Sequence, residues 1–164
     1  MLQHTFALRI PLLGLLLLTA AASHAQNTMS EPQNTAPVFD STLAVRLGAD
    51  DYGMRSYVMA FLHAGPNRDQ TPEEATALQR AHMDNIKRLQ EEGLLVFAGP
   101  FLDNGPLRGI YLFAVQTVAE AEALTASDPA IQAGSLRMEL HPWYGSAALL
   151  SVRDTHARIA RKSP

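Results

Sequence analysis

The chain has 164 residues, with 16 Asp and Glu against 13 Lys and Arg for a formal charge of −3, 47% apolar residues and no cysteine. A net-acidic chain lacks the cationic footprint of a nucleic-acid binder, and a cysteine-free one has no disulfides and no thiol chemistry, so a hydrophobic core alone must hold its fold. The length suits a single domain, and no internal repeat or second composition regime breaks it.

The first stretch, "LRIPLLGLLLLTAAASHAQ", is an apolar run flanked by Arg9 and closed by small residues at Ser23 and Ala25. It is short for a membrane span, which needs about 20 residues, and Ser23-His24-Ala25 has the small-x-small form of a cleavage site. Residues 1–25 therefore read as a signal peptide cut before Gln26, with an uncleaved anchor as the alternative because Arg9 is the leader's one basic side chain. No cysteine follows the small residues, which excludes a lipoprotein anchor. Loss of Arg9 leaves 12 basic against 16 acidic residues, a formal −4. The expectation is a periplasmic or secreted protein with no stable membrane insertion after cleavage. Expressed with its own leader, the exported product should begin at Gln26 on N-terminal sequencing; a soluble cytoplasmic product with an intact Met1 would contradict this.

Residues 26–53 are rich in Asn, Ser, Thr and Pro and show no sustained apolar period, so they read as a flexible, solvated linker, with pairing of "FDSTLAVRLG" along a sheet edge as the lesser reading. Periodicity begins in "MRSYVMAFLHAG", where Val58, Ala60 and Leu62 alternate with Tyr57, Met59 and Phe61, a strand covered on both faces. A helix follows over about 72–92. Thr71 is its N-cap, Pro72 its first residue, Glu74 completes a capping box, and Gly93 stops it. Its apolar stripe runs Ala75, Leu78, His82, Ile86 and Leu89, with Met83 alongside, so an imidazole stands where an aliphatic side chain is expected.

"LLVFAGPF" (94–101) is a strand ended by Gly99-Pro100, "DNGP" (103–106) turns the chain, and "LRGIYLFAV" (107–115) returns as the second strand of a hairpin. A second helix over 117–127 turns Val118, Ala121 and Leu124 inward, and "DPAIQAG" is a one-turn helix capped by Asp128 and ended by Gly134. "SLRMELHPW" (135–143) alternates as the last strand, and residues 147–164 form a tail with a helical stretch over "LLSVRDTHARIAR". The order of the domain, residues 54–146, is strand, helix, strand, strand, helix, strand. Two helices cover one face of a four-stranded sheet, and the other apolar face needs a partner. A second copy is the simplest one, giving a two-fold homodimer with a pocket in each subunit between sheet and helix.

Several segments together carry a resemblance: a mid-helix histidine in "RAHMDNIKRLQEEG", then "LVFAGPFLDNG", "RGIYLF", the "SDPAIQAG" box and "MELHPWYGSAAL". Over about residues 56–146 the chain resembles the YciI-like (YCII-related) family. The resemblance implies an α+β, ferredoxin-like βαββαβ fold, a dimeric α+β barrel, and a His–Asp pair in the pocket, carried over here to His82 and Asp128. It implies no single reaction. Most members lack an assigned one, and relatives of the fold include muconolactone-isomerase-like, chlorinated-aromatic dehydrochlorinase-like and cofactor-free monooxygenase-like proteins. The leader and linker depart from the usual compact intracellular member.

A lone histidine on a helix stripe is more often a core residue bonded to a backbone carbonyl than a reactive group. Imidazole nevertheless titrates near neutrality, and a carboxylate that orients it makes a proton-transfer group. Asp128, before Pro129 at a helix start, has the form of an N-cap, and a capping carboxylate keeps a second oxygen free for a histidine. Tyr57, Gly99 and Pro100 are candidates for the pocket lining. His63 ends a strand near a loop at the pocket's rim and reads as solvent-facing, His141 reads as structural, and Asp103 as a turn residue. No two histidines stand at metal-ligand spacing beside a carboxylate, and there is neither a phosphate loop nor a serine elbow, so no metal and no cofactor are expected. Two functions fit: a small cofactor-independent enzyme using His82 and Asp128 for acid/base chemistry on a small aromatic or lactone-like substrate, or a non-catalytic periplasmic binding or accessory dimer holding a small-molecule ligand.

Overall fold

The computed structural model describes residues 38–162; the signal peptide expected over 1–25 and linker residues 26–37 lie outside the described residues. From Ser41 the reading of a flexible linker is corrected. Helix α1 (Ser41–Leu47) is capped at its start by Asp40, which accepts a hydrogen bond from the Leu43 N–H at 2.9 Å, and at its end by Gly48 at φ 61°. It buries no residue, so it leaves no apolar period to read. Asp50 accepts from the N–H groups of Tyr52 and Met54 and from the Tyr144 hydroxyl, which ties the following turn to the sheet.

The sheet comprises β1 (Met54–Ala64), β2 (Leu95–Pro100), β3 (Leu107–Phe113) and β4 (Leu136–Ser146), in the order β2-β3-β1-β4 with every neighbouring pair antiparallel. Helices α2 (Pro72–Glu91) and α3 (Val118–Thr125), with the single turn α4 (Pro129–Gln132), complete the expected βαββαβ order. The fold is a mixed α+β domain. β1 is central, paired with β3 on one side and β4 on the other, which is why both its faces are apolar.

Strand alternation splits the core in two. Val58, Ala60 and Leu62 face the helices with Tyr111 and Phe113 of β3 and pack against Ile86 and Leu89 of α2. Burying one such Leu or Phe contributes about 1.5–3 kcal/mol. On the opposite face Tyr57, Val96 and Leu112 are buried, with Met59 and Phe97 partly so. Leu149 and Leu150 of a 3-10 turn (Ala147–Ser151) cover one end of that face, and α5 (Val152–Ile159) follows. Arg153 of α5 donates to the Gln90 carbonyl at 2.6 Å, a cation at the C-terminal end of α2, where the helix dipole favours positive charge. The C-terminal segment is thus docked on the domain.

Candidate functional site

The register of α2 is locked at both ends. Thr71 and Glu74 exchange hydrogen bonds, with the Thr71 N–H at 2.8 Å from Glu74 Oε2 and the Glu74 N–H at 3.2 Å from Thr71 Oγ1. Gly93, at φ 74°, supplies the left-handed stop that costs a residue with a Cβ most. Between these ends the stripe buries His82, Ile86 and Leu89 against the sheet, and Asn85 is buried beside it.

Asp128 approaches from the start of α4, which packs beside α2. Extended at φ −80° and ψ 119°, it caps α4 by accepting the Ala130 N–H at 2.9 Å through Oδ1. Its carboxylate meets the His82 ring, with Nδ1 at 2.9 Å from Oδ1 and 2.8 Å from Oδ2. Asp128 is 0% exposed and His82 7%. A second bond braces the approach: the Arg88 guanidinium of α2 donates to Asn85 Oδ1 at 2.8 Å and to Ser127 Oγ at 3.0 Å, fastening the residue before Asp128 to the helix that carries His82.

The other ring nitrogen meets β3. The Tyr111 hydroxyl lies 3.3 Å from His82 Nε2, and the two rings stack with centroids 6.2 Å apart and planes 24° apart. Burial, and after it the negative charge of Asp128, hold the Tyr111 phenol well above its ordinary range, so it remains protonated and can donate. These partners assign the tautomer: a carboxylate only accepts, so Nδ1 carries the proton toward Asp128, and Nε2 presents a lone pair that accepts from the phenol. His82 is therefore an imidazole held at one edge by a buried carboxylate and loosely at the other by a long phenolic bond.

A cleft of about 580 Å³ opens beside this group, between α2 and the helix-facing side of the sheet. His82 and Tyr111 line it with Leu62, Met83, Ile86 and Ala98, while the exposed side chains of Arg68, Gln79 and Arg108 stand at its edge. Gly99, Pro100 and Gly109 form its wall where β2 meets β3. A Cβ at Gly109 would lie 2.5 Å from the Gly99 carbonyl oxygen and 3.2 Å from Pro100 Cα, so only glycine permits the two strands to approach there. At Gly99 an added Cβ would meet nothing within 4 Å, and packing does not require glycine.

His82 and Asp128 are thus brought together, and Gly99 and Pro100 line the cleft. Tyr57 is a correction. It lies on the opposite face of the sheet, fully buried, with its hydroxyl donating to the Ser146 carbonyl at 2.9 Å and its ring 5.8 Å from that of Trp143. The cause is the period of two: once Val58, Ala60 and Leu62 face α2, Tyr57 must face away. His63 and His141 also lie on that far side, both against Glu139, at 3.0 Å and 2.9 Å. Hydrogen bonds from His141 and then His63 hold the Glu139 carboxyl below its usual range. Asp103 makes the expected turn, accepting the Gly105 N–H at 3.0 Å around Asn104 at φ 58°. Among the described residues no three His, Asp or Glu side chains gather as a metal site. Tyr111, Arg68 and Arg108 were not legible as site residues; Tyr111 could have been found from the alternation that pairs it with Ala60 on the helix face.

Compared with protein families, residues 58–144 match the YCII-related domain. No curated protein matches the chain. Among solved structures it is similar to 5-chloro-2-hydroxyhydroquinone dehydrochlorinase (TftG) from Burkholderia phenoliruptrix AC1100, in complex with 2,5-dihydroxybenzoquinone. The sequences are 15% identical and the TM-score is 0.42, over 53% of this chain and 92% of that one, a likeness too weak to carry an argument about the reaction.

Proposed function

The chain belongs to the YCII-related domain family, and from that premise we propose that its cleft is the active site of a small, cofactor-independent enzyme in which His82 transfers a proton at a small aromatic or lactone-like substrate. One observation carries the reading: His82 lines an open cleft while its Nδ1 is bound to the buried Asp128 carboxylate, not to a backbone carbonyl. A histidine kept only for packing would forgo the apolar burial that the stripe otherwise provides. A carboxylate buried against an imidazole is also a costly way to fill space that apolar side chains of the same volume would fill without desolvating a polar group.

In the proposed step a substrate atom displaces the long Tyr111 bond, and Nε2 accepts a proton from a substrate C–H or O–H. The electron pair stays on the substrate as an enolate or phenolate. The imidazolium so formed is stabilised by Asp128, and Nε2 returns the proton to another substrate atom, leaving enzyme and charge balanced. Tyr111, protonated beside Nε2, is placed to donate to the developing oxyanion.

The second reading, a binding module without chemistry, is favoured by the same 3.3 Å contact, since the phenol already occupies the lone pair of Nε2. Incubating the protein with small lactones and aromatic acids in D₂O separates the two readings by NMR. Deuterium incorporation or product formation that disappears in His82→Asn supports the enzyme. Ligands that shift cleft resonances with no exchange or turnover would leave only a binding module.

We further propose that the protein works outside the cytoplasm, on the strength of residues 1–25, and as a homodimer closed over the remaining open sheet face. Met59, Phe61, Phe97 and Ile110 are only half-buried there. A stable dimer would remove about 1,200–2,000 Å² from water. Light scattering of the mature chain should give twice the monomer mass at micromolar concentration, and Phe61→Glu should give a folded monomer. A wild-type monomer throughout that range would mean that Leu149 and Leu150 are cover enough.

A further inference from the structure

The charge at the cleft edge is opposite in sign to that of the chain. Arg68 and Arg108 both line the cleft, and among the described residues no Asp or Glu does. Each guanidinium makes one long bond to a backbone carbonyl, Arg68 to Ser135 at 3.2 Å and Arg108 to Gly105 at 3.3 Å. Neither forms an ion pair among the described residues, whereas Arg88, outside the cleft, holds Glu92 at 2.9 Å. A guanidinium has five N–H donors, so most of the donors of both side chains remain unused by the protein. Asp128, bonded to the cleft-lining His82, spends its charge on that ring and on the Ala130 N–H. Below the two cations the lining turns apolar, with Leu62, Met83, Ile86 and Ala98 around the His82 and Tyr111 rings.

We propose that the cleft selects a small organic anion: a carboxylate or ionised phenol held by Arg68 and Arg108, on an apolar ring that reaches His82. The proposal rests on the reading of the cleft as a ligand site and adds the charge of the ligand. Planar guanidinium forks pair with carboxylates through two parallel hydrogen bonds, which fixes the orientation of the ligand as well as its charge. A ligand anchored at the edge by its anionic end projects its ring inward, toward the one group in the cleft that can accept a proton. Solvent screening weakens a pair at an exposed edge, so the preference should be modest and sensitive to salt.

The test uses benzoate and 4-hydroxybenzoate against their uncharged amides, benzamide and 4-hydroxybenzamide, titrated into the full mature protein by calorimetry and by NMR of the His82 ring. The acids should bind about tenfold more tightly than the amides, or about 1.4 kcal/mol. Raising the salt should erase much of that difference. Arg68→Gln/Arg108→Gln should weaken the acids about tenfold and leave the amides unchanged. Both arginines are exposed, so thermal stability should not move, and each single variant serves if the pair disturbs folding. Equal binding of acids and amides, with His82 shifted by both, would overturn the anion proposal and keep the ligand site. Binding of neither, with no cleft resonance moving at millimolar concentration, would overturn both.

Discussion

Asp128→Ala should be the most destabilising single polar substitution in the domain, lowering the unfolding free energy by about 3–5 kcal/mol. Asp128 is completely buried and satisfies two donors, the His82 Nδ1–H and the Ala130 N–H that starts α4. Truncation leaves both donors without a partner inside the protein, where each unmade bond costs about 1–3 kcal/mol, and one of those two bonds is the cap of α4. Asp128→Asn separates the contributions. Its amide oxygen still accepts one of the two donors, so the expected loss is about 1–2 kcal/mol. Urea unfolding of the three proteins measures this. A loss below about 1 kcal/mol for the alanine variant would mean that water or a rearranged loop replaces the carboxylate.

Asp128 also illustrates what a one-dimensional sequence discloses. Caps are local: Thr71 with Glu74 and Asp128 with Ala130 act over two or three residues, and both form as read, while the equally local capping box of Thr117 and Glu120 is seen in the structure alone. The mid-helix position of His82 follows from the same short-range periodicity. The cleft is different, because its wall depends on how strands pair across dozens of residues, with register shifts between Leu62 and His63 and between Leu95 and Phe97 that no local pattern announces. Tyr57 fails for a different reason: β1 is apolar on both faces, so its alternation separates Tyr57 from Val58 without telling which of the two meets α2. Tyr111 went unnoticed on the helix face, and Arg68 in a loop and Arg108 at a strand start carried no periodic signal. Helix α1 was missed for the converse reason: Asp40 and Gly48 mark its ends, but a helix that buries nothing has no stripe.

His82→Asn carries the largest expected effect on function. Asn places an amide nitrogen near the position of Nδ1, so the bond to Asp128 can persist while Nε2 is deleted. Stability should fall only moderately, by about 1 kcal/mol, since the Asp128 carboxylate keeps a donor. Proton transfer should fall about 10²–10⁴-fold, the usual contribution of a positioned general acid or base. Tyr111→Phe removes the phenol and leaves Nε2 free, so it should preserve a larger share of the exchange activity. Solvent-deuterium exchange rates for the three proteins check the ordering wild type, Tyr111→Phe, His82→Asn. An Asn variant that exchanges as fast as wild type would remove His82 from the chemistry, whatever its position in the cleft.

All of this turns on which nitrogen of His82 faces the reaction, and nitrogen-detected NMR of the imidazole at mildly alkaline pH reads that directly. Nδ1 should carry the proton toward Asp128, Nε2 should show the shift of an unprotonated nitrogen, and Tyr111→Phe or a bound cleft ligand should perturb Nε2 more than Nδ1. A ring protonated on Nε2, or one whose two nitrogens ignore both the ligand and the loss of the phenol, would contradict the assignment of His82 as the proton-transfer group.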